Sequence, residues 1–154
     1  MSNVRGFGLS AFPVSHFTSH KFYCMHKTYL SIAALLGAIA VALGAFGAHG
    51  LKKIVPEETV ATFQTGVQYQ MYHTFALLAA GILFEKFSGK WIKWAGICFI
   101  TGIVLFSGSL YTLTILKATE QTGLRGIGII TPFGGVLFIA GWLFLFLGIM
   151  KKAD

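Results

Sequence analysis

Charged side chains cut the chain into long apolar blocks. Between Lys27 and Lys52 lie 24 residues without a formal charge, between Glu58 and Glu85 there are 26, between Lys93 and Lys117 there are 23, and between Arg125 and Lys151 there are 25. A hydrocarbon core about 30 Å thick takes roughly 20 apolar residues in a helix. Each block is therefore long enough to cross a bilayer, and the spans are predicted at about residues 28–47, 67–84, 94–116 and 129–150. The connections at 85–93 and 117–128 are short, which makes consecutive spans antiparallel neighbours. The fold class expected is an all-α membrane protein, an antiparallel four-helix transmembrane bundle forming a single domain over residues 25–154.

Local signals refine the boundaries. Pro56 followed by Glu57 and Glu58 reads as a helix start, since proline suits the first helical position and carboxylates complement the positive end of the helix dipole. Val60, Phe63 and Val67 recur at helical spacing, so the first turns of this helix can lie along the interface before it enters the membrane. Thr131 is a candidate cap for the fourth span, with Pro132 in its first turn. Ala34, Ala38 and Ala42 recur every fourth residue, the small-residue row that lets helices approach closely in lipid. Gly44, Gly108, Gly134, Gly135 and Gly141 are the glycines expected at helix contacts. Residues 1–24 show no sustained period and read as a disordered extension. Met25, next to Lys27 and the first apolar run, reads as the natural start of translation.

Composition agrees with the pattern. A soluble chain of 154 residues with 55% apolar and 11% charged residues would lack the polar surface to cover one core. The formal charge of +7 would suggest nucleic-acid binding in a soluble protein, but here the positive charges flank apolar helices. They orient the chain and meet anionic lipid headgroups, so membrane lipids are expected partners and nucleic acid is not. The N-terminal segment, second loop and C-terminus hold 8 Lys or Arg against 4 in the first and third loops, which places both termini on the cytoplasmic side. Tyr29, Trp91 and Trp94 then stand as anchors at the inner interface.

The uncharged polar residues inside the spans gather toward one leaflet. His49 follows the outer end of the first span; Gln64, Gln68, Tyr69, Gln70 and His73 open the second; Ser107, Ser109 and Tyr111 lie in the outer half of the third; Thr131 begins the fourth. These ten residues are the candidate site. They can act as hydrogen-bonding glue between helices, or line a polar pocket that receives a lipid-like small molecule or a partner. His73 with Gln70, three residues before it on the same face, carries most of the second reading, because an ionisable residue within a span is a functional hypothesis by default. His49 and His73 have no metal-ligand spacing and no carboxylate inside a span to complete a site, so no metal and no cofactor are expected. Ser107 and Ser109 lack an acidic partner for a hydrolase triad.

The string Ala42-Leu43-Gly44-Ala45-Phe46-Gly47-Ala48-His49, then Gln64-Thr65-Gly66 with Tyr69-Gln70 and His73-Thr74, then Val104 to Tyr111 around Ser107-Gly108-Ser109, then Thr131-Pro132 with Gly134-Gly135 and Ala140-Gly141-Trp142, resembles a known family. It is the small four-span family that includes the bacterial inner-membrane protein YgdD and vertebrate transmembrane protein 256. The resemblance implies a multi-pass protein of the bacterial plasma (inner) membrane and supplies no catalytic residues. The function expected is a non-enzymatic membrane protein that binds a small amphiphile or a partner through the polar cluster. The alternative is an oligomeric channel or small-solute transporter subunit, with a homo-oligomer as partner; a membrane enzyme comes third.

Overall fold

The computed structural model describes residues 19–87, 89–120 and 125–151. Among them are four α-helices and no strand: α1 (Ser19–His49), α2 (Glu57–Lys86), α3 (Lys90–Ala118) and α4 (Ile130–Met150). Single 3-10 turns at Leu51–Lys53 and Arg125–Ile129 precede α2 and α4. Helix α1 begins at Ser19, so residues 19–24, read from the sequence as part of a disordered tail, already belong to it, and residues 1–18 lie outside the described residues.

Two helix starts differ from expectation. Pro56 is the cap of α2 rather than its first residue; its carbonyl accepts the backbone N–H of Thr59 at 2.9 Å and of Val60 at 3.1 Å, and Glu57 and Glu58 fill the first turn. Thr131 does not cap α4, which begins one residue earlier with no side-chain cap; its hydroxyl is used across the bundle instead.

The close helix pairs are α1 with α2, α2 with α3, and α3 with α4. Each runs antiparallel: Gly47 meets Phe63 and Gly81 meets Leu30, Gly66 meets Tyr111 and His73 meets Phe99, Gly134 meets Phe106 and Gly148 meets Ile92. Helices α1 and α3 also touch where Tyr29 enters the space left by Gly96 and its hydroxyl donates to the Lys93 carbonyl at 2.9 Å. Tyr29 is therefore an internal tie, 3% exposed, and not a membrane-facing anchor. Trp94, by contrast, is half-exposed.

Three of the four expected spans, Lys27–Lys53, Lys90–Ala118 and Gly126–Met150, are helices long and apolar enough to cross a membrane. Helix α2 is not among them, because its Gln, His, Thr and Tyr residues dilute its apolar content. Their placement is telling. Gln70, His73 and Thr74 are 3, 6 and 4% exposed, while Tyr72, Phe75 and Ile82 on the outer face are 59, 60 and 58% exposed. A water-soluble helix shows the reverse, burying apolar groups and wetting polar ones. The outer faces of α3 and α4 are likewise apolar, with Val104, Ile115, Phe133, Val136, Ile139 and Leu143 exposed.

The glycines sort into those that hold helices together and those that do not. Along the α3–α4 seam a β-carbon at Gly134, Gly141 or Gly148 would stand 2.5–2.8 Å from Phe106, Phe99 and Ile92 respectively, and one at Gly102 would stand 2.6 Å from the Phe138 ring. Both sets step by seven residues, the spacing that keeps one helix face toward its neighbour with little drift. Gly44 makes only an ordinary contact, Gly135 barely reaches the Phe106 ring, and a β-carbon at Gly108 would meet nothing within 4 Å, so these three are not close-approach positions. The alanine row is corrected too. Ala34, Ala38 and Ala42 are exposed, and α1 packs through Tyr29, Ala33, Ala40 and Gly47. The three alanines share the outward face of α1, and the contact face is the one that steps by seven through Ala33, Ala40 and Gly47.

Candidate functional site

The polar residues form a layer between two apolar clusters. On one side lie Tyr29, Ala33, Leu77, Ala80, Phe84, Ile92, Ala95 and Phe99 with their neighbours; on the other, Leu51, Val55, Val60, Phe63 and Val67. The second cluster stands between the polar layer and the end of the bundle where α1 finishes and α2 begins. It is built by the turn after α1 and the first turns of α2, whose helical apolar spacing packs inward rather than along a lipid surface.

Within the layer, Gln70 joins three helices. Its Nε2 donates to the Leu36 carbonyl of α1 at 2.9 Å, and its Oε1 accepts the hydroxyl of Tyr111 on α3 at 2.9 Å. Gln64, half-buried two turns earlier, donates to the Gly44 carbonyl over a long 3.4 Å. On the far side of α3, Ser109 donates to the Phe106 carbonyl at 2.8 Å and receives the Thr131 hydroxyl of α4 at 2.6 Å. These bonds tie α1 to α2, α2 to α3 and α3 to α4. In hydrocarbon each is worth about 1 kcal/mol or less, because polar groups of separated helices also find partners.

His73 is held differently. Its Nδ1 bonds to the Tyr69 carbonyl at 2.8 Å, and since a carbonyl only accepts, Nδ1 carries the hydrogen. The ring stacks flat on Phe138 of α4, centroids 3.4 Å apart and planes 7° apart, with Tyr69, Phe99 and Trp142 within 6.4 Å. Gly102 makes this possible by leaving room for the Phe138 ring between α3 and His73. With Nδ1 committed, Nε2 is the acceptor of the neutral ring, and it has no hydrogen-bond partner among the described residues. Tyr69 and Trp142 beside it are 39 and 50% exposed, so the aromatic group reaches the outer surface of the bundle between α2 and α4.

Eight of the ten candidate residues, from Gln64 through Tyr69, Gln70, His73, Ser107, Ser109 and Tyr111 to Thr131, thus lie in or beside this layer. His49 and Gln68 do not: both are exposed, His49 at the end of α1 and Gln68 on the outer face of α2. A surface cleft of about 220 Å³ lies elsewhere, lined by Lys52, Val55, Glu57 and Val60. Sequence reading missed Phe99, Phe138 and Trp142 around His73, because aromatic residues in a span carry no mark that separates a histidine box from lipid-facing bulk. The step from Phe138 to Trp142, one turn on a single face, was the available signal.

The family model described as a protein of unknown function (DUF423) matches residues 43–135. A UPF0382 membrane protein of Staphylococcus saprophyticus is 44% identical over 125 residues, 81% of this chain and 98% of the relative. YwdK, a UPF0382 membrane protein of Bacillus subtilis, is 41% identical over 126 residues, covering 81% of this chain and 98% of its own. The UPF0382 inner membrane protein YgdD of Escherichia coli K12 is 40% identical over 122 residues, 79% of this chain and 88% of the relative. No solved structure matches. With the family model and relatives at 40% identity or more over four-fifths of its length, this chain belongs to the DUF423 family of UPF0382 membrane proteins.

Proposed function

We propose that the chain is a non-enzymatic multi-pass protein of the bacterial plasma (inner) membrane, that α2 is its fourth crossing, and that the His73 aromatic group receives a lipid-like small molecule. The four-span reading is supported by the placement of α2, which buries Gln70, His73 and Thr74 among its neighbours while Tyr72, Phe75 and Ile82 lie exposed on its outer face beside Gln68. A helix of that kind meets lipid with apolar groups and satisfies its polar ones on its neighbours. Orientation follows from the charged residues at the two ends. Lys27, Lys86, Lys90, Lys93 and Lys151 stand with Glu85 at one end, whereas Lys52, Lys53, Lys117 and Arg125 are largely offset by Glu57, Glu58 and Glu120 at the other. The basic end belongs in the cytoplasm, and the termini with it.

The observation that carries the ligand reading is His73 Nε2, an acceptor with no protein partner among the described residues, beside the exposed rings of Tyr69 and Trp142. The Leu51 to Val67 cluster covers the route from the adjacent membrane surface, so the ligand enters sideways from the bilayer between α2 and α4. An amphiphile with a hydroxyl donor and a flat or branched apolar body suits these groups. His73→Phe keeps the stack on Phe138 and removes both nitrogens. Native mass spectrometry of gently extracted protein is expected to show a small-molecule adduct on the wild type that the variant loses, with stability within about 1 kcal/mol of wild type. An adduct retained by His73→Phe, or absent from the wild type, contradicts the ligand reading and leaves the polar layer as helix-to-helix glue.

A further inference from the structure

Thr74 Oγ1 and Ser107 Oγ are, among the described residues, the two fully buried side-chain oxygens without a hydrogen-bond partner. Their isolation is unusual for this chain. Thr62, Thr65, Thr101, Thr112 and Thr114 each return their hydroxyl to the carbonyl four residues earlier, at 2.8–3.1 Å. Thr74 presents its methyl group toward Gly37 of α1, where a β-carbon would stand 3.6 Å away, and its hydroxyl makes no such bond.

Helix register brings the two residues to one level of the bundle. Gln70 of α2 is bonded to Tyr111 of α3, and the helices are antiparallel, so one turn onward from Gln70 and one turn back from Tyr111 bring Thr74 and Ser107 to the same depth of the same seam. The pair above them has capacity left. Gln70 Nε2 uses one of its two hydrogens on Leu36, and the Tyr111 phenol oxygen, having donated to Gln70, still has an acceptor lone pair. Two unpartnered hydroxyls thus stand, by helix register, one turn from a bonded pair that keeps one amide hydrogen and one phenol lone pair in reserve. Buried polar groups so placed are matched by a small molecule that both donates and accepts, and a water needs two to four such partners. The charged residues stand at the ends of the helices, so nothing at this level favours an ion.

We propose that the seam binds one water molecule between Thr74 and Ser107, beneath the Gln70–Tyr111 pair, as a fixed part of the bundle. The site is separate from the His73 aromatic group, and it stands or falls independently of any amphiphile. Its test uses the full chain in nanodiscs. In the wild type a through-space NMR cross-peak between water and the Thr74 methyl group is expected, and Ser107→Ala should remove it. Thr74→Val and Ser107→Ala should each lower the unfolding temperature, because each leaves the water and the other hydroxyl short of a partner; the double variant should lose clearly less than the two losses combined. A rise in unfolding temperature in either single variant would mean that the hydroxyl had simply been unsatisfied. No change, with additive behaviour, would mean that it bonds its own helix. Either result, or no water cross-peak in the wild type, overturns the proposal. The wild-type cross-peak decides the matter even if a variant fails to fold.

Discussion

Helix α3 is held on its two sides by different physics. Toward α4 it offers Phe106, Phe99 and Ile92 to Gly134, Gly141 and Gly148, and its own Gly102 to Phe138, so that this seam is made chiefly by shape. Toward α2 it adds to the packing of Tyr111 on Gly66 and of Phe99 by His73 a side-chain hydrogen bond, Tyr111 to Gln70. In lipid there is no hydrophobic gain from bringing two apolar helices together, so close packing and hydrogen bonding are the available forces. The comparison shows that they are not interchangeable. A shape seam should suffer most from added atoms, and a polar seam from lost bonds, each at modest cost.

The largest effect should come from adding atoms to the shape seam. A β-carbon at Gly134 would stand 2.5 Å from the backbone nitrogen of Phe106, which cannot swing aside as a side chain can. Gly134→Leu is expected to cost about 3 kcal/mol or more and to separate α4 from α3, read as loss of folded protein in thermal unfolding. Tolerance of leucine there would break the comparison. A smaller effect is expected in the polar seam. Gln70→Met removes both interhelical bonds and leaves the Tyr111 hydroxyl alone, for about 1–2 kcal/mol, with Tyr111→Phe costing less and the pair coupled in a double-mutant cycle. Additivity of the two would show that their bond carries nothing. The smallest effect sharpens the contrast between glycines. Gly108→Ala meets no atom within 4 Å, and alanine favours a helix over glycine, so it should leave stability unchanged or raise it by about 0.5–1 kcal/mol.

How far the sequence disclosed this is itself uneven. The three apolar helices and the ends of α2 follow from where Lys and Glu fall, and the gathering of Gln70, Tyr111, Ser109 and Thr131 follows from alternating helix direction. The glycines did not sort themselves. Gly108 and Gly134 look alike in sequence, and only their helical phase against a neighbour separates them. A seven-residue step linking Gly134, Gly141 and Gly148 was present but is easily lost among 19 glycines. Ala34, Ala38 and Ala42 misled for the related reason that a small-residue row shows a face but not whether that face meets a neighbour; here it is the outward one. Tyr29 read as an interfacial anchor because aromatic residues near span ends usually are; the space at Gly96 that draws it inside belongs to another helix.

Helix α2 is where composition and placement disagree most, and it decides the account. If its polar face is satisfied by α1 and α3 while Tyr72, Phe75 and Ile82 face lipid, then the segments at its two ends lie on opposite sides of the membrane. Single cysteines at Lys53→Cys and Lys86→Cys, in a chain whose Cys24 and Cys98 are replaced by alanine, report this directly through labelling of intact cells with a membrane-impermeant maleimide. The account predicts labelling of the cysteine at position 53 from outside, and labelling of the one at position 86 only after the membrane is opened. Equal labelling of both positions from one side would place α2 along the surface and contradict the four-span bundle.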